Sequence, residues 1–324
     1  MASTITKDIV TEIPTWIRVF RDGTVERPRN FPIVPPLLDD PKTGVSSKDI
    51  VISQNPTISA RIYLPKFAPE KVKLPIYVYF HGGGFFCESA FSKLFQDHFI
   101  KLVPLANVIV VSVEYRIAPE HPLPACYDDC WAALQWVASH STENPTNTEP
   151  WLIEHGDFNR VFIGGDSAGG NITHNMIAFR ACAEALPGNV KILGAILAHP
   201  YFYGSNPIGS EPVTGLEHNL FYLVWKLVYP SAEGGIDNPM INPLAPGAPS
   251  LAGLACSRMI VCVAGKDGLR DRGVWYYEAV KKSGWQGKVE LFEEKEEDHV
   301  YHLFNPESEN GDKLIRRMAS LLQE

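Results

Sequence analysis

The chain reads Arg160-Val-Phe-Ile-Gly-Gly-Asp-Ser-Ala-Gly-Gly-Asn171 near its centre, with a G-x-S-x-G match at Gly165, Ser167 and Gly169. Apolar residues precede the match, and apolar residues at helical spacing follow it as far as Arg180. A strand, a sharp turn and a helix in this order place a serine on a strained turn, where it can act as a nucleophile. The alternative is a glycine-rich turn with an incidental serine, and the rest of the chain has to decide between the two.

Composition and charge narrow the classes of protein that this chain can represent. Its 324 residues are 45% hydrophobic and 20% charged, which predicts one folded domain, residues 1–324, with a substantial core. The net charge of -8 disfavours nucleic acid and anionic membranes as partners. Residues 1–10 lack the basic and apolar regions of a signal peptide, and no apolar run reaches membrane-spanning length. We therefore expect a cytoplasmic monomer or homodimer without nucleic-acid or membrane partners.

Strands and helices alternate along most of the chain. Residues 9–24 predict a helix followed by a hairpin. The later strands are nearly continuous in Val, Ile and Leu, which is typical of a parallel sheet buried on both faces. We therefore predict an α/β fold with a mostly parallel central sheet and helices on both faces. The predicted strands are 47–54, 59–64, 74–80, 107–113, 160–165, 191–198, 258–263 and 288–292, and the predicted helices are 127–140, 171–180, 273–282 and about 312–322.

Residues 201–250 interrupt this alternation. They contain seven prolines and one amphipathic run at 219–228. We predict that residues 201–250 and about 1–50 form a helical cap over a pocket, although an inert surface excursion is an alternative. The aromatic residues Phe85, Phe86, Phe202 and Tyr222 are candidate substrate contacts, and they are equally compatible with packing in the core.

A second motif, His81-Gly82-Gly83-Gly84, follows the apolar strand 74–80. Successive glycines expose backbone N–H groups, and such donors can stabilise a negatively charged oxygen that develops during a reaction. An H-G-G-G run about eighty residues before G-x-S-x-G is the pairing found in lipases and esterases. Two N–H groups of this glycine run, together with the N–H of Ala168 directly after the serine, are therefore candidate oxyanion donors.

A serine nucleophile needs a base and an acid that orients the base. On this architecture both should follow later strands, in the order Ser, Asp, His. Asp267 follows the predicted strand 258–263, and His299 follows the last strand. Asp271 is the competing acid. His199 is a competing base, but it precedes the acid in the chain, and a solvated role for His299 is the other alternative.

Four stretches resemble plant carboxylesterases of the hormone-sensitive-lipase group: 81–85, 114–121, 165–171 and 267–271. The similarity extends from about residue 10 to the end of the chain. Residues 234–243 and 283–287 bring it closer to the branch that contains 2-hydroxyisoflavanone dehydratase-like enzymes and monoterpene indole alkaloid cyclases. The resemblance implies an α/β-hydrolase fold with Ser167 as nucleophile, Asp267 as acid and His299 as base. It also implies Gly83, Gly84 and Ala168 as the oxyanion donors, and it implies no metal or other cofactor.

The resemblance also sets the functional hypotheses. The first is a serine carboxylesterase that hydrolyses small plant metabolite esters through an acyl-enzyme. The second is a dehydratase, a cyclase or an ester hydrolysis coupled to decarboxylation, in flavonoid or alkaloid biosynthesis. A receptor-like binding module is the third, and the retention of His299 disfavours it, because the gibberellin receptors of this group have replaced that histidine.

Overall fold

The computed structural model describes residues 8–38, 43–66, 72–143, 145 and 147–324, so parts of the predicted 1–50 cap segment lie outside the described residues. The described residues begin with a three-stranded antiparallel sheet of β1 (Ile9–Ile13), β2 (Ile17–Phe20) and β3 (Val25–Glu26). The predicted hairpin is confirmed, but the helix predicted before it is wrong. Its residues form β1, because Ile9, Val10 and Thr11 are β-branched and favour an extended backbone.

The second sheet has eight strands in the order β11-β10-β9-β8-β6-β7-β5-β4. The two strands β4 and β5 are antiparallel to their neighbours, and the other strands pair in parallel, which confirms the predicted mostly parallel sheet. The strands are β4 (Val45–Gln54), β5 (Thr57–Pro65), β6 (Leu74–Phe80), β7 (Ile109–Glu114), β8 (Gly156–Asp166), β9 (Ile192–Ala198), β10 (Arg258–Ala264) and β11 (Lys288–Glu294).

Helices cover this sheet through two separate hydrophobic clusters, one on each face. The helices are α1 (Lys93–Ala106), α2 (Ala125–Ser139), α3 (Pro150–His155), α4 (Ala168–Asn175), α5 (Ala181–Ala183), α6 (Leu220–Val228), α7 (Arg270–Lys282), α8 (Tyr301–Phe304) and α9 (Glu309–Gln323). A π-helical segment, Met176–Arg180, joins α4 to α5. Across the described ranges, no helix combines the length and the apolar character needed to cross a membrane.

Strand register determines where the motifs meet. Phe80 pairs with Gly165, and Asp166 pairs with Ala198, so β6, β8 and β9 end side by side. The carboxyl ends of parallel strands lie at one edge of a sheet, where α/β proteins form their binding crevices. The loops that carry the glycine run, Ser167, Asp267 and His299 all leave this edge.

Candidate active site

Ser167 occupies a sharp turn between β8 and α4. Its backbone angles are φ 53° and ψ -113°, a sparsely populated combination for a residue with a side chain. Its N–H donates to Ala198 O at 2.8 Å, which attaches the turn to β9. A Cβ atom on Gly169 would lie 1.8 Å from Phe80 O, and one on Gly165 would lie 2.1 Å from the same oxygen. The glycines are therefore required because strand and helix approach the backbone of β6 too closely for any side chain.

Asp267 orients His299. The Nδ1 atom of His299 lies 2.7 Å from Asp267 Oδ2, and the Leu269 N–H donates to Asp267 Oδ1 at 2.9 Å. Burial would raise the pKa of Asp267, but hydrogen bonds from His199 and His299 outweigh it and hold that pKa below its usual range. An ionised carboxylate only accepts, so Nδ1 of His299 carries the hydrogen and Nε2 is left as a base. The side chain of His299 is 35% exposed and that of Asp267 is 2% exposed, so His299 reaches the cavity while its carboxylate partner is enclosed.

The alternative acid, Asp271, and the alternative base, His199, lie in different surroundings from Asp267 and His299. Asp271 accepts hydrogen bonds from the N–H and the hydroxyl of Ser210, and it pairs with Arg270, so it is fully engaged at the start of α7. His199 is buried at the end of β9, and its Nδ1 lies 3.3 Å from Asp267 Oδ2. The competing base suggested by the sequence therefore contacts the same carboxylate as His299.

The glycine run forms a loop beside Ser167. Gly83 and Gly84 have φ values of 95° and 60°, and both line the cavity that also contains Ser167 and His299. Within the described ranges, their backbone N–H groups donate to no protein acceptor. Ala168 is the first residue of α4, where backbone N–H groups lack an acceptor within the helix. Three backbone donors thus lie near the serine without a helix or sheet partner.

His81, the first residue of the H-G-G-G motif, supports this loop from behind. Its ring stacks on Tyr115 with centroids 4.1 Å apart, and its Nδ1 lies 2.8 Å from Gly82 O. Complete burial lowers the pKa of His81 to about 4, so the ring is neutral at physiological pH. It is a packing residue of the loop.

The cavity at this site is mainly apolar. The carboxyl and imidazole groups in its lining are those of Glu88, Asp166 and His299. Phe86, one of the predicted substrate contacts, lines it and meets Trp16 of the N-terminal sheet edge to face at 6.2 Å. The remaining apolar lining comes from Phe31, Leu94, Phe95, Tyr201, Leu220, Phe221, Val224, Leu269, Val300, Leu303 and Phe304.

Three predicted substrate contacts do not line this cavity. Phe85 is fully buried and packs against Tyr127, Tyr201 and Trp225. Phe202 is fully buried too, between His174 and Tyr276. Tyr222 packs against the core from α6, and its neighbours Phe221 and Val224 face the cavity instead. Sequence alone could not tell which side of each loop or helix would face the cavity.

His199, Asp267 and His299 are also the one group in the described part of the chain whose side chains could jointly bind a metal ion, with donor atoms within 4.8 Å of one another. The 2.7 Å between His299 Nδ1 and Asp267 Oδ2 is a hydrogen-bond distance. Two ligands of one tetrahedral zinc ion would lie about 3.3 Å apart. The donor set therefore fits a hydrogen-bonded arrangement better than a metal centre.

Comparison with known proteins identifies the class. A family model described as the α/β-hydrolase fold matches residues 77–303. A thermophilic carboxylesterase, EstE1, cloned from a metagenomic library, superposes with a TM-score of 0.70 over 91% of this chain and 90% of its own, at 25% identity. The chain belongs to the α/β-hydrolase family, as the motifs indicated.

Two curated plant proteins resemble it over nearly their whole length. A 2-hydroxyisoflavanone dehydratase of Glycyrrhiza echinata is 59% identical over 99% of this chain and 98% of its own. Probable carboxylesterase 2 of Arabidopsis thaliana is 43% identical over 98% of each chain. Within the α/β-hydrolase family the chain is thus an enzyme of the carboxylic ester hydrolase type.

Proposed function

We propose that the chain is a serine carboxylesterase that hydrolyses small-molecule esters through an acyl-enzyme. Ser167 Oγ attacks the ester carbonyl while His299 Nε2 takes its proton, and the N–H groups of Gly83, Gly84 and Ala168 hold the oxyanion. His299 then protonates the departing alcohol. Water, activated by the same histidine, releases the acid. Asp267 stabilises the imidazolium in both half-reactions.

The single observation that carries this proposal is the meeting of three features in one cavity. A serine on a strained turn and a histidine held by a buried carboxylate both line it, beside a loop with free backbone donors. A structural role alone does not require this combination, whereas acyl transfer requires each part. The apolar walls favour an aromatic or aliphatic ester over a charged one.

We further propose that the cap over this cavity is formed by the N-terminal segment and the 201–250 insertion. Trp16 and Phe31 contribute lining from the first, and Leu220, Phe221 and Val224 contribute lining from the second. These residues would set substrate selectivity without touching the reacting atoms.

The second candidate function is a dehydratase, which the 59% identity to a 2-hydroxyisoflavanone dehydratase favours. In such a reaction His299 would remove the proton next to a ketone, the oxyanion donors would hold the enolate oxygen, and the neighbouring hydroxyl would leave as water. Ser167 would form no bond to the substrate. The two functions therefore differ in their need for the Ser167 hydroxyl.

The deciding experiment measures two reactions on wild type, Ser167→Ala and His299→Ala. The substrates are a short p-nitrophenyl ester and 2-hydroxyisoflavanone, with products identified by mass spectrometry. A serine esterase loses ester hydrolysis by about 10⁴-fold or more in both variants. A dehydratase loses its activity in His299→Ala and keeps a substantial part of it in Ser167→Ala. Undetectable ester hydrolysis by wild type rejects the esterase proposal.

A further inference from the structure

A second histidine contacts the acid of the proposed triad. His199 and His299 both direct Nδ1 at the same oxygen, Asp267 Oδ2, at 3.3 and 2.7 Å. Their rings are nearly perpendicular, 84° apart, with centroids separated by 5.6 Å. The carboxylate is therefore held by two imidazoles, while the Leu269 N–H occupies its other oxygen.

The position of His199 is fixed by its surroundings. Its φ of 49° is in the left-handed region, and its N–H donates to Cys262 O at 2.8 Å, which attaches it to β10. Its side chain has no solvent exposure, and its ring stacks on His302 at 5.6 Å with an interplanar angle of 11°. Tyr301 lies against another side at 5.7 Å. The left-handed backbone conformation of His199 and the rings packed around its side chain together direct the imidazole towards Asp267.

The protonation state of His199 follows from these contacts. Burial lowers its pKa more than the hydrogen bond to Asp267 raises it, so the ring is neutral at neutral pH. Because a carboxylate only accepts, the single ring hydrogen is on Nδ1. Nε2 is then a bare acceptor, and it has no protein partner among the described residues. The titratable groups that face the ring are Asp267, His299, Tyr301 and His302, and burial lowers the pKa of His302 as well.

We propose that His199 is a positioning residue, which fixes the Asp267 carboxylate from the side away from the cavity so that its remaining lone pair faces His299. His199 does not line the cavity and touches no reacting atom. It also shares the negative charge of Oδ2 with His299, so removing the His199 donor would leave more of that charge to interact with a protonated His299. This inference rests on the proposed ester hydrolysis only for its kinetic readout.

The kinetic test compares His199→Phe, which keeps a planar ring without a donor, with His199→Asn, whose amide N–H can replace Nδ1–H. Losing one such hydrogen bond in the phenylalanine variant should lower kcat by about tenfold. It should also raise the apparent pKa of the acidic limb of kcat/KM by about half a unit. KM should change little, and His199→Asn should recover most of kcat and return the acidic limb towards its wild-type position.

His98→Phe is the matched control, because His98 is another fully buried histidine, with a pKa lowered to about 3 by burial, that contacts His302 but not Asp267. It should leave the acidic limb in place. If His199→Phe and His199→Asn behave alike, or if the limb does not move in His199→Phe, His199 is a packing residue only and the proposal is wrong.

A second measurement uses a protein that retains His199, so the proposal can be tested even if His199→Phe does not fold. Long-range ¹H–¹⁵N correlation spectra of the Ser167→Ala protein, with histidines assigned by substitution, report each tautomer without turnover. We expect His199 to be neutral and protonated on Nδ1 between pH 6 and pH 8. A positively charged ring or an Nε2–H tautomer overturns the proposal. Failure of ester hydrolysis in wild type would reject the proposed function and leave this result intact.

Discussion

Asp166 Oδ1 accepts a hydrogen bond from the Gly82 N–H at 2.9 Å, and so links the residue before the proposed nucleophile to the proposed oxyanion loop. The same oxygen accepts from the Tyr79 hydroxyl at 2.6 Å. A Cβ atom on Gly82 would lie 2.1 Å from Asp166 Oδ2, so the loop is tightly packed against this carboxylate. One buried side chain thus connects the turn that carries Ser167 to the loop that carries the proposed oxyanion donors.

Asp166→Ala should weaken both the fold and the reaction. It leaves the Gly82 N–H and the Tyr79 hydroxyl buried without a partner, at a cost of about 1–3 kcal/mol each in the free energy of unfolding. Ester hydrolysis should fall by about 100-fold because the oxyanion donors lose their position. Urea unfolding and kcat measure the two effects. Asp97→Ala removes an exposed ion pair with Lys93 and should change neither; an Asp166→Ala protein with wild-type kcat would contradict the positioning role.

Gly169→Ala should be among the most damaging single substitutions in the chain. The added Cβ atom would lie 1.8 Å from Phe80 O, and the nearest atoms it would meet are all backbone atoms rather than the end of a flexible side chain. We expect a loss of about 3 kcal/mol or more in the free energy of unfolding. Gly253→Ala is the matched control, because a Cβ atom there has nothing within 4 Å, and its effect should stay within about 0.5 kcal/mol. Equal unfolding midpoints for the two variants would show that β6 can shift to accommodate the added methyl group.

The 201–250 insertion is attached to α7 through a buried ion pair. Glu211 accepts from two guanidinium nitrogens of Arg272 at 2.7 Å each, with side chains that are 4% and 2% exposed. Glu211→Ala removes the carboxylate that pairs with this buried guanidinium and should cost about 3–5 kcal/mol of stability. Glu217→Ala, in the same insertion but 67% exposed, should cost little. Thermal unfolding of both proteins checks the difference, and a similar small loss in each would mean that water reaches Arg272 once Glu211 is gone.

Glu88 should make the protein less stable as pH rises. Burial raises its pKa to about 7 from 4.5 and outweighs the opposing interactions with the Ser92 side chain and the Ser89 backbone. Between these two pH values the unfolded chain has lost the proton and the folded chain retains it, so stability falls as pH rises through this window. Glu88→Gln removes the effect because its side chain does not ionise. The free energy of unfolding of Glu88→Gln relative to wild type should therefore be up to about 3 kcal/mol higher at pH 8 than at pH 4.

The measurement for Glu88 is urea unfolding of wild type and Glu88→Gln at both pH values, with Glu217→Gln as an exposed control. The free energy of unfolding of Glu217→Gln relative to wild type should be the same at pH 4 and pH 8. If the Glu88→Gln difference is also independent of pH, the carboxyl is already ionised in the folded protein.

The fold was largely predictable because its signals are local. Leu74–Phe80 is buried at every position, and such unbroken apolar runs predict central parallel strands. The order of Ser167, Asp267 and His299 was informative because parallel strands end at one edge of the sheet. In contrast, α1 had no clear signal, since Pro104 interrupts its pattern although the helix continues through it.

The remaining features depend on tertiary packing. The sequence could not show that Phe85 and Phe202 face inward, or that Leu94 of α1 and Leu303 of α8 line the cavity. His199 is the clearest example of a feature that depends on tertiary packing. Because it precedes Asp267 in the chain, the sequence argues only against its role as the base. Its contact with Asp267 arises only because β9 and β10 are neighbours in the sheet.

The N-terminal sheet has a consequence for how this enzyme class can diversify. Its strands pair only with each other among the described residues, yet the turn between β1 and β2 brings Trp16 to the cavity wall. The residues that would carry the chemistry are attached to the other sheet. Substitutions at Trp16 can therefore change which molecules enter the cavity without altering the residues that would carry the chemistry, whereas Ile13 and Ile17 belong to the buried core. The range of substrates of such an enzyme can therefore change while its reaction stays the same.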